Sequence, residues 1–414
     1  MSLKQCHIGI IVLLVIALAP AALAEKGRIY GKIYTDRGDI LEGPIRWDKN
    51  EASWDDMIDG YKELSKEATK ERRRRYGRED SEVKFFGLTI YSNGSSWGGT
   101  RECAISFGHI KRLTPESDDG ALLLLKSGEE ALIQGSSTDL GSGIREIIVE
   151  DVKEGELELD WNDIDYIEFM DGGDVTSTFG DRIFGTVTTS RAGEYTGWIS
   201  WDVDEMFVTD IIDGSEHGRK RKIKFSQIAR IEKISSQASL VVLKNGEELR
   251  LDDSNDIDSG NRGIVISDLK LGRITVQWDE FESLDIKQPA ATDYVSRADF
   301  DGGRPLTGTV YDENGDKYTG TIRWDDDEEY TWEVLDGSYR DVNFDIPFEH
   351  IQSIEKLSDR TGRVVLWDGR ELKLRDSNDV NDENNGVFVA TGTGGKDEVE
   401  IDWTDFDRVE FQKK

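Results

Sequence analysis

Three copies of the motif Trp-Asp-x-x-Glu place two carboxylates three residues apart, directly after a tryptophan. The pairs are Asp48/Glu51, Asp202/Glu205 and Asp325/Glu328. Hard cations such as Ca²⁺ prefer carboxylate oxygens as ligands, and the Asp-Ser-Asn-Asp runs at 253–256 and 376–379 add further oxygen-rich loops. One interpretation is therefore a Ca²⁺ site. The other, which we favour, is a solvated turn whose Asp and Glu cap backbone N–H groups and hold no cofactor.

A second group of residues is basic. Residues 61–78 read YKELSKEATKERRRRYGR and include Arg72, Arg73, Arg74 and Arg75 in succession. Pairs such as Glu63/Lys66 are typical of a helix, and arginine binds carboxylate or phosphate through two N–H groups at once. We expect a helix that binds an unidentified envelope protein or an anionic surface. Contact with the chain's own acidic surface is the alternative.

The histidines, the cysteines and the known catalytic motifs give little indication of catalysis. His109 and His350 are equivalent residues of a repeated signature whose other copies carry Asp, Gln or Glu there, which predicts an exposed turn. The only cysteines are Cys6 and Cys103. The sequence contains no HExxH motif, no phosphate-binding glycine loop and no Cys/His metal spacing. We expect no catalytic residues, no cofactor-binding residues and no enzymatic activity.

The chemical motifs recur because the chain repeats itself. Gly31, Gly43 and Trp47 return at the same spacing, first as Gly185, Gly197 and Trp201, and then as Gly308, Gly320 and Trp324. An Asp-Gly pair follows twelve residues after each of these tryptophans. Around them, β-branched and aromatic residues alternate with polar ones, which predicts short strands, and the Asp-Gly pairs predict turns.

A second signature occurs twice in each copy. An aromatic residue is followed by further apolar residues at three-residue spacing, which predicts a 3₁₀ turn between two strands. The six signatures begin at Phe107, Trp161, Phe225, Trp278, Phe348 and Trp403, and we expect the last five to be buried. Each of the three repeats therefore consists of two similar halves of four or five strands.

Five short strands with a 3₁₀ turn before the last resemble the layout of SH3-like and Sm-like small β-barrels. Gly31 to Asp48 also resembles a motif of uncharacterised exported bacterial proteins, GxIxTxxGxxxxGxIxWD. These resemblances imply an all-β fold of three tandem repeats, each a pair of small barrels, with one helical insertion in the first. They imply no particular activity. A six-bladed β-propeller with one half-repeat per blade is the alternative.

Composition divides the chain further. Residues 1–24 combine Lys4, an apolar run and the small-residue end Ala22-Leu23-Ala24, which is typical of a signal peptide. No second apolar run follows, so we expect no transmembrane segment in the mature chain and a location in the periplasm or outside the cell. The expected repeats are 25–170 with the helical insertion at about 60–95, 182–286, and 304–414, joined by linkers at 171–181 and 287–303.

The formal net charge of −33 disfavours nucleic acid as a partner, because binding a phosphate backbone requires an excess of Lys and Arg. We expect an exported, non-catalytic binding or scaffold protein of the bacterial cell envelope. The alternative is a glycan- or peptidoglycan-binding module. Tryptophans outside the repeated core positions distinguish the two, since exposure on one face indicates a glycan site and burial between repeats indicates a scaffold. They are Trp54, Trp97, Trp198, Trp332 and Trp367.

Overall fold

The computed structural model describes residues 27–63, 82–85, 88–91, 100–135, 138–172, 177–392 and 397–413. We refer to residues 27–170, 182–286 and 304–413 as the first, second and third segments. The described chain is all-β, and its helical elements are 3₁₀ turns of three residues. The predicted signal peptide at 1–24 and residues 64–78 of the predicted helix lie outside the described residues.

The described residues of the first segment form twelve strands. They are β1 (Tyr30–Thr35), β2 (Ile40–Trp47), β3 (Met57–Glu63), β4 (Glu82–Phe85), β5 (Leu88–Tyr91), β6 (Thr100–Ser106), β7 (Ile110–Ser117), β8 (Gly120–Leu125), β9 (Glu130–Gln134), β10 (Ile147–Asp151), β11 (Gly155–Leu159) and β12 (Ile164–Phe169). Where a helical insertion was expected, the described residues form the end of β3 and the β4–β5 hairpin.

The second and third segments contain ten strands each. Those of the second are β13 (Ile183–Thr189), β14 (Glu194–Ser200), β15 (Ile211–Glu216), β16 (Arg219–Lys224), β17 (Ile228–Ser235), β18 (Ala238–Leu243), β19 (Glu248–Asp252), β20 (Ile264–Asp268), β21 (Gly272–Val276) and β22 (Phe281–Ile286). Those of the third are β23 (Thr307–Asp312), β24 (Lys317–Arg323), β25 (Val334–Tyr339), β26 (Val342–Pro347), β27 (Ile351–Ser358), β28 (Thr361–Leu366), β29 (Glu371–Leu374), β30 (Val387–Thr391), β31 (Asp397–Ile401) and β32 (Phe406–Phe411).

The same antiparallel strand order occurs three times. The first segment runs β11-β10-β2-β1-β12-β7-β8-β9-β3-β6, and the second runs β21-β20-β14-β13-β22-β17-β18-β19-β15-β16. The third runs β31-β30-β24-β23-β32-β27-β28-β29, and β25 continues this order through a single bridge from Ser338 to Arg375. Because the first and last strands of every segment pair with each other, each segment forms one structural unit.

The all-β prediction is confirmed, whereas the paired barrels and the six-bladed alternative are not. β22 comes from the second half of its segment, yet it lies between β13 and β17 of the first half. β14 likewise pairs with β20 across the two halves. The halves therefore share one sheet, and none of the three large sheets formed by the described strands is closed.

The recurring glycines have a packing explanation. Gly31 lies directly opposite Gly43 in the β1–β2 pair, and the same register places Gly185 opposite Gly197 and Gly308 opposite Gly320. A Cβ atom on Gly43 would lie 1.9 Å from the carbonyl oxygen of Glu150, and one on Gly320 would lie 2.0 Å from that of Ala390. Any side chain at these positions would displace the neighbouring strand, which accounts for the glycine motif.

The core follows the aromatic signatures. All six of these aromatic residues are buried, including the five predicted to be, and four of them open a 3₁₀ turn: Phe107–His109, Trp161–Asp163, Phe225–Gln227 and Phe348–His350. The other two, Trp278 and Trp403, lie in tight turns. Further 3₁₀ turns are Asn255–Ile257, Ala291–Asp293, Arg297–Asp299 and Asn378–Val380.

The turns predicted at the Asp-Gly pairs are wrong, because these pairs lie inside β3, β15 and β25. Contacts with distant residues, and not a local turn, determine the conformation of these pairs. The backbone N–H of Asp213 donates to the side chain of Asp256, and a Cβ on Gly214 would lie 3.0 Å from that of Leu251. Glycine is needed here for close packing rather than for chain reversal.

The three segments contact one another in pairs. β21 of the second segment pairs with β26 of the third, which makes one twelve-stranded sheet. In this pairing Arg273 lies opposite Asp345 and donates to it at 2.7 Å. The same guanidinium makes two 2.7 Å bonds to Asp59 of the first segment. One arginine therefore joins all three segments.

The first and third segments have their own buried ion pair. The ammonium of Lys62 contacts the carboxylate of Glu333 and the backbone carbonyl of Asp327, and both side chains of the ion pair are at least nine-tenths buried. The stretch expected to be a linker at 287–303 packs against the first segment, where the backbone N–H of Gly302 donates to His109 Nδ1 at 3.1 Å. The connecting residues thus belong to the packed body.

Candidate functional site

Each Trp-Asp-x-x-Glu motif forms a tight turn at the end of β2, β14 or β24. Trp47 and Glu51 pair across the turn, where the backbone N–H of Trp47 donates to the backbone carbonyl of Glu51 at 2.7 Å. The intervening aspartate has a positive φ in every copy, 42° at Asp48, 47° at Asp202 and 48° at Asp325. Aspartate tolerates this left-handed conformation better than most residues. The turn therefore fixes the aspartate and the glutamate at defined positions.

The aspartates have the capping role expected for them. Asp48 accepts the backbone N–H of Arg145 at 2.6 Å, and Asp202 accepts that of Arg262 at 2.6 Å. Asp325 accepts the equivalent N–H from Asn385. The expectation of a solvated turn is wrong, however, since all three aspartates are almost completely buried.

A third carboxylate joins each motif from the loop after β9, β19 or β29. The indole N–H of Trp47 donates to the carbonyl of Asp139, and Trp201 and Trp324 donate in the same way to Asp256 and Asp379. The carboxylate of each loop aspartate accepts the backbone N–H of an Asp-Gly aspartate. In the second and third segments this residue ends the oxygen-rich runs identified in the sequence, but its pairing with the motif was not anticipated.

Two of these groups are compact. In Asp48/Glu51/Asp139 and in Asp325/Glu328/Asp379, each residue offers one carboxylate oxygen within 4.8 Å of the others. All six residues are buried. We call the second group, Asp325/Glu328/Asp379, the third-segment triad.

The glutamates lack the partners that the aspartates have. The Oε2 atoms of Glu51, Glu205 and Glu328 are buried and accept no hydrogen bond. Burial, followed by nearby aspartates, raises the pKa of Glu51 and of Glu328 well above the ordinary range, and raises the pKa of Glu205 to about 9. Such a carboxyl is neutralised either by a proton or by a bound cation.

The three sites differ in their compensating charge. The guanidinium of Arg145 lies 2.8 Å from Asp48 Oδ2, and that of Arg262 lies 3.0 Å from Asp202 Oδ2. In the third segment the equivalent side chain is the neutral Asn385, whose amide donates to Asp325 Oδ1 at 3.1 Å. The first two sites therefore contain a built-in cation, whereas this position is uncharged in the third.

The predicted partner-binding arginines, Arg72 to Arg75, lie outside the described residues, so their role stays a prediction. The structure describes another basic stretch that the sequence analysis passed over. Arg219, Lys220, Arg221 and Lys222 are exposed along β16, at one edge of the twelve-stranded sheet. Charged residues on an edge strand also discourage pairing with other chains.

The exposed position expected for the histidines is wrong for His109, which is 1% exposed. Its ring packs edge-on against Phe300, and its Nε2 lies 3.7 Å from Glu349 of the third segment. The equivalent Glu280 is also buried, where it binds Arg191. These partners come from distant parts of the sequence, which a local pattern does not reveal.

The tryptophans outside the repeated core positions are mostly buried. Trp54 and Trp332 are at most 4% exposed and belong to one apolar cluster, although they come from the first and third segments. Trp198 is buried as well and donates its indole N–H to the carbonyl of Asp293 at 2.8 Å. Trp367 is partly buried, and Trp97 lies outside the described residues.

No helix among the described residues combines the length and the apolar character needed to cross a membrane. Comparison with known proteins gives no matching family model, no matching curated protein and no matching solved structure.

Proposed function

We propose that the chain is an exported, non-catalytic binding or scaffold protein of the bacterial cell envelope. Its export is supported by the signal-like pattern of residues 1–24, and Cys103 is the one cysteine in the sequence beyond that pattern. Burial raises the pKa of the Cys103 thiol to about 12, which keeps it protonated and unreactive.

The observation that carries the proposal is the burial of the tryptophans. A glycan site needs exposed aromatic rings on which sugars can stack. Trp54, Trp198 and Trp332 instead pack against residues of neighbouring segments or of the connecting stretches. The most exposed large apolar side chains in the described residues are aliphatic: Ile40, Val152, Ile211, Ile234 and Leu357. This arrangement favours a scaffold over a glycan- or peptidoglycan-binding module.

The architecture we propose has three repeats, each with two halves of the small-barrel class. The common strand order of the three segments supports the repeats. The 3₁₀ turns at Phe107, Trp161, Phe225 and Phe348 support the small-barrel class of the halves. Because the two halves exchange strands within one sheet, the functional unit is the whole segment rather than the half.

The binding surface we propose is the run Arg72–Arg75, which is suited to an anionic partner in the envelope. The chain carries 85 acidic residues, so a local basic surface is also a site of attraction for a second copy of the same acidic protein. Nucleic acid is not among the proposed partners.

The test uses the chain from residue 25 onward, incubated with envelope extract and, separately, with purified peptidoglycan. We expect recovery of an envelope partner that is weakened by salt and by changing Arg72, Arg73, Arg74 and Arg75 to Gln, because bidentate contacts to an anionic partner would be lost. Changing Arg219, Lys220, Arg221 and Lys222 to Gln removes the same number of charges and is the matched control.

Co-sedimentation with peptidoglycan would contradict the scaffold assignment if it were saturable and equal in both quadruple variants. Equal loss of the envelope partner from the two variants would show that net charge, rather than the Arg72–Arg75 surface, determines binding. Unchanged circular dichroism spectra would establish that the variants are folded.

A further inference from the structure

We propose that the third-segment triad, Asp325, Glu328 and Asp379, binds one hard divalent cation of the Ca²⁺ class. The inference goes beyond the scaffold function and does not depend on it. Each residue offers a carboxylate oxygen, and the three oxygens lie within 4.8 Å of one another. Ca²⁺ takes oxygen ligands at about 2.3–2.6 Å, so oxygens at this separation can share one ion.

Glu328 provides an independent reason for a ligand. Its side chain is buried, with 7% of the residue exposed, and its Oε2 accepts no hydrogen bond. A buried carboxylate oxygen without a partner is costly, and native structures provide one for most such atoms. A cation held between Glu328 and the two aspartates would be that partner.

The third segment is favoured over the other two by its charge. Arg145 and Arg262 place a guanidinium on the motif aspartate of the first and second segments, and Asn385 leaves this position neutral in the third. The nearby Lys62 forms its ion pair with Glu333, although its charge also acts on Glu328, and Arg323 pairs with Asp326. The residue that carries the guanidinium in the other two segments is therefore neutral here, and a divalent cation would supply the positive charge in its place.

Burial also indicates the type of cation. Mg²⁺ demands short octahedral distances and usually retains several waters, whereas Ca²⁺ accepts a more flexible set of protein oxygens. All three triad residues are buried, which favours the ion that gives up its water more readily. The bound ion would connect the turn after β24 to the Asn378–Val380 turn, and Asp379 in turn holds β25 through the N–H of Asp336.

The experiment is a calorimetric titration of the chelator-treated chain, residues 25–414, with Ca²⁺ alone. We expect one ion per chain and a Ca²⁺-specific rise in melting temperature that an equal ionic strength of NaCl does not reproduce. Glu328→Gln keeps the shape of the side chain and should abolish binding. Asn385→Arg recreates the guanidinium of the other segments and should weaken binding at least tenfold.

Glu205→Gln and Glu51→Gln are the matched controls, because they change the same glutamate in the segments that contain an arginine. Both should bind Ca²⁺ as the unchanged chain does. Binding that survives Glu328→Gln, or that is lost in either control, would place the cation elsewhere and overturn the proposal. Absence of saturable binding in the folded, chelated chain at millimolar Ca²⁺ would also overturn it.

Discussion

Within each Trp-Asp-x-x-Glu motif, the aspartate and the glutamate have different tasks. The aspartate stabilises the fold, because it accepts the backbone N–H of residue 145, 262 or 385. The glutamate has a buried oxygen without a hydrogen-bond partner in all three copies. The backbone of the glutamate closes the turn, but a buried side-chain oxygen that recurs without a hydrogen-bond partner is better explained by a proton or a cation.

The proton-bound state can be tested at Glu205, whose pKa burial raises from 4.5 to about 9. The folded chain holds a proton there that the unfolded chain releases above about pH 4.5. This contribution therefore lowers the free energy of unfolding as pH rises from 4.5 to about 9. Glu205→Gln cannot release a proton, so we expect its stability relative to the unchanged chain to rise between pH 5 and pH 9, by on the order of 1 kcal/mol per pH unit.

Urea unfolding at several pH values measures this difference. The exposed Glu247→Gln is the control and should show little change with pH. If the stability difference between Glu205→Gln and the unchanged chain were constant from pH 5 to pH 9, Glu205 would not be protonated in the folded state.

The sequence revealed the motif pairs because their spacing repeats, but it did not reveal which carboxylate completes each site. Asp256 and Asp379 lie 55 residues beyond the motif tryptophan, and Asp139 lies 92 residues beyond its own. Such contacts depend on strand order, not on local spacing. A Ser-x-Asp pattern followed by an aliphatic residue, as in Ser254–Ile257 and Ser377–Val380, was the available signal.

At the level of strands, local sequence patterns predicted well which residues form strands, but they predicted poorly which strands pair with each other. Alternation of apolar and polar residues is a property of each strand, so the strands around Trp47, Trp201 and Trp324 were correctly expected. Strand order depends on partners far away in the chain. The two halves of each segment consequently share a sheet, although each half alone has the layout of a small barrel.

The close approach of strands at the recurring glycines leads to a stability prediction. We expect Gly320→Ala to destabilise the chain by about 1–3 kcal/mol, because its Cβ would lie 2.0 Å from the carbonyl oxygen of Ala390 and the strand must move. Gly143→Ala is the matched control, since nothing lies within 4 Å of a Cβ there.

Chemical unfolding of the two glycine variants, compared with the unchanged chain, gives both values. A loss of less than about 0.5 kcal/mol in Gly320→Ala, similar to that of an ordinary surface change, would mean that β24 and β30 are not packed this closely.

At the scale of the whole molecule, the predicted linkers are part of the packing. Gly302 binds His109 of the first segment, and Phe179 packs against Phe207 of the second. Arg273 joins Asp59 and Asp345, so one side chain contacts all three segments. Composition alone suggested linkers at 171–181 and 287–303, because these Gly-, Ser- or Pro-bearing stretches show no strand alternation. Their contacts with distant residues leave no periodic pattern in the sequence.

A scaffold with tryptophans buried between its segments requires that the three segments form one body. Differential scanning calorimetry of residues 25–414 tests this most directly. We expect one cooperative transition whose van't Hoff and calorimetric enthalpies agree, because the segments share a sheet, buried aromatic contacts and the ion pairs of Arg273 and Lys62. Two or three separate transitions, or a van't Hoff enthalpy of about a third of the calorimetric value, would show instead that the segments unfold as independent tandem domains.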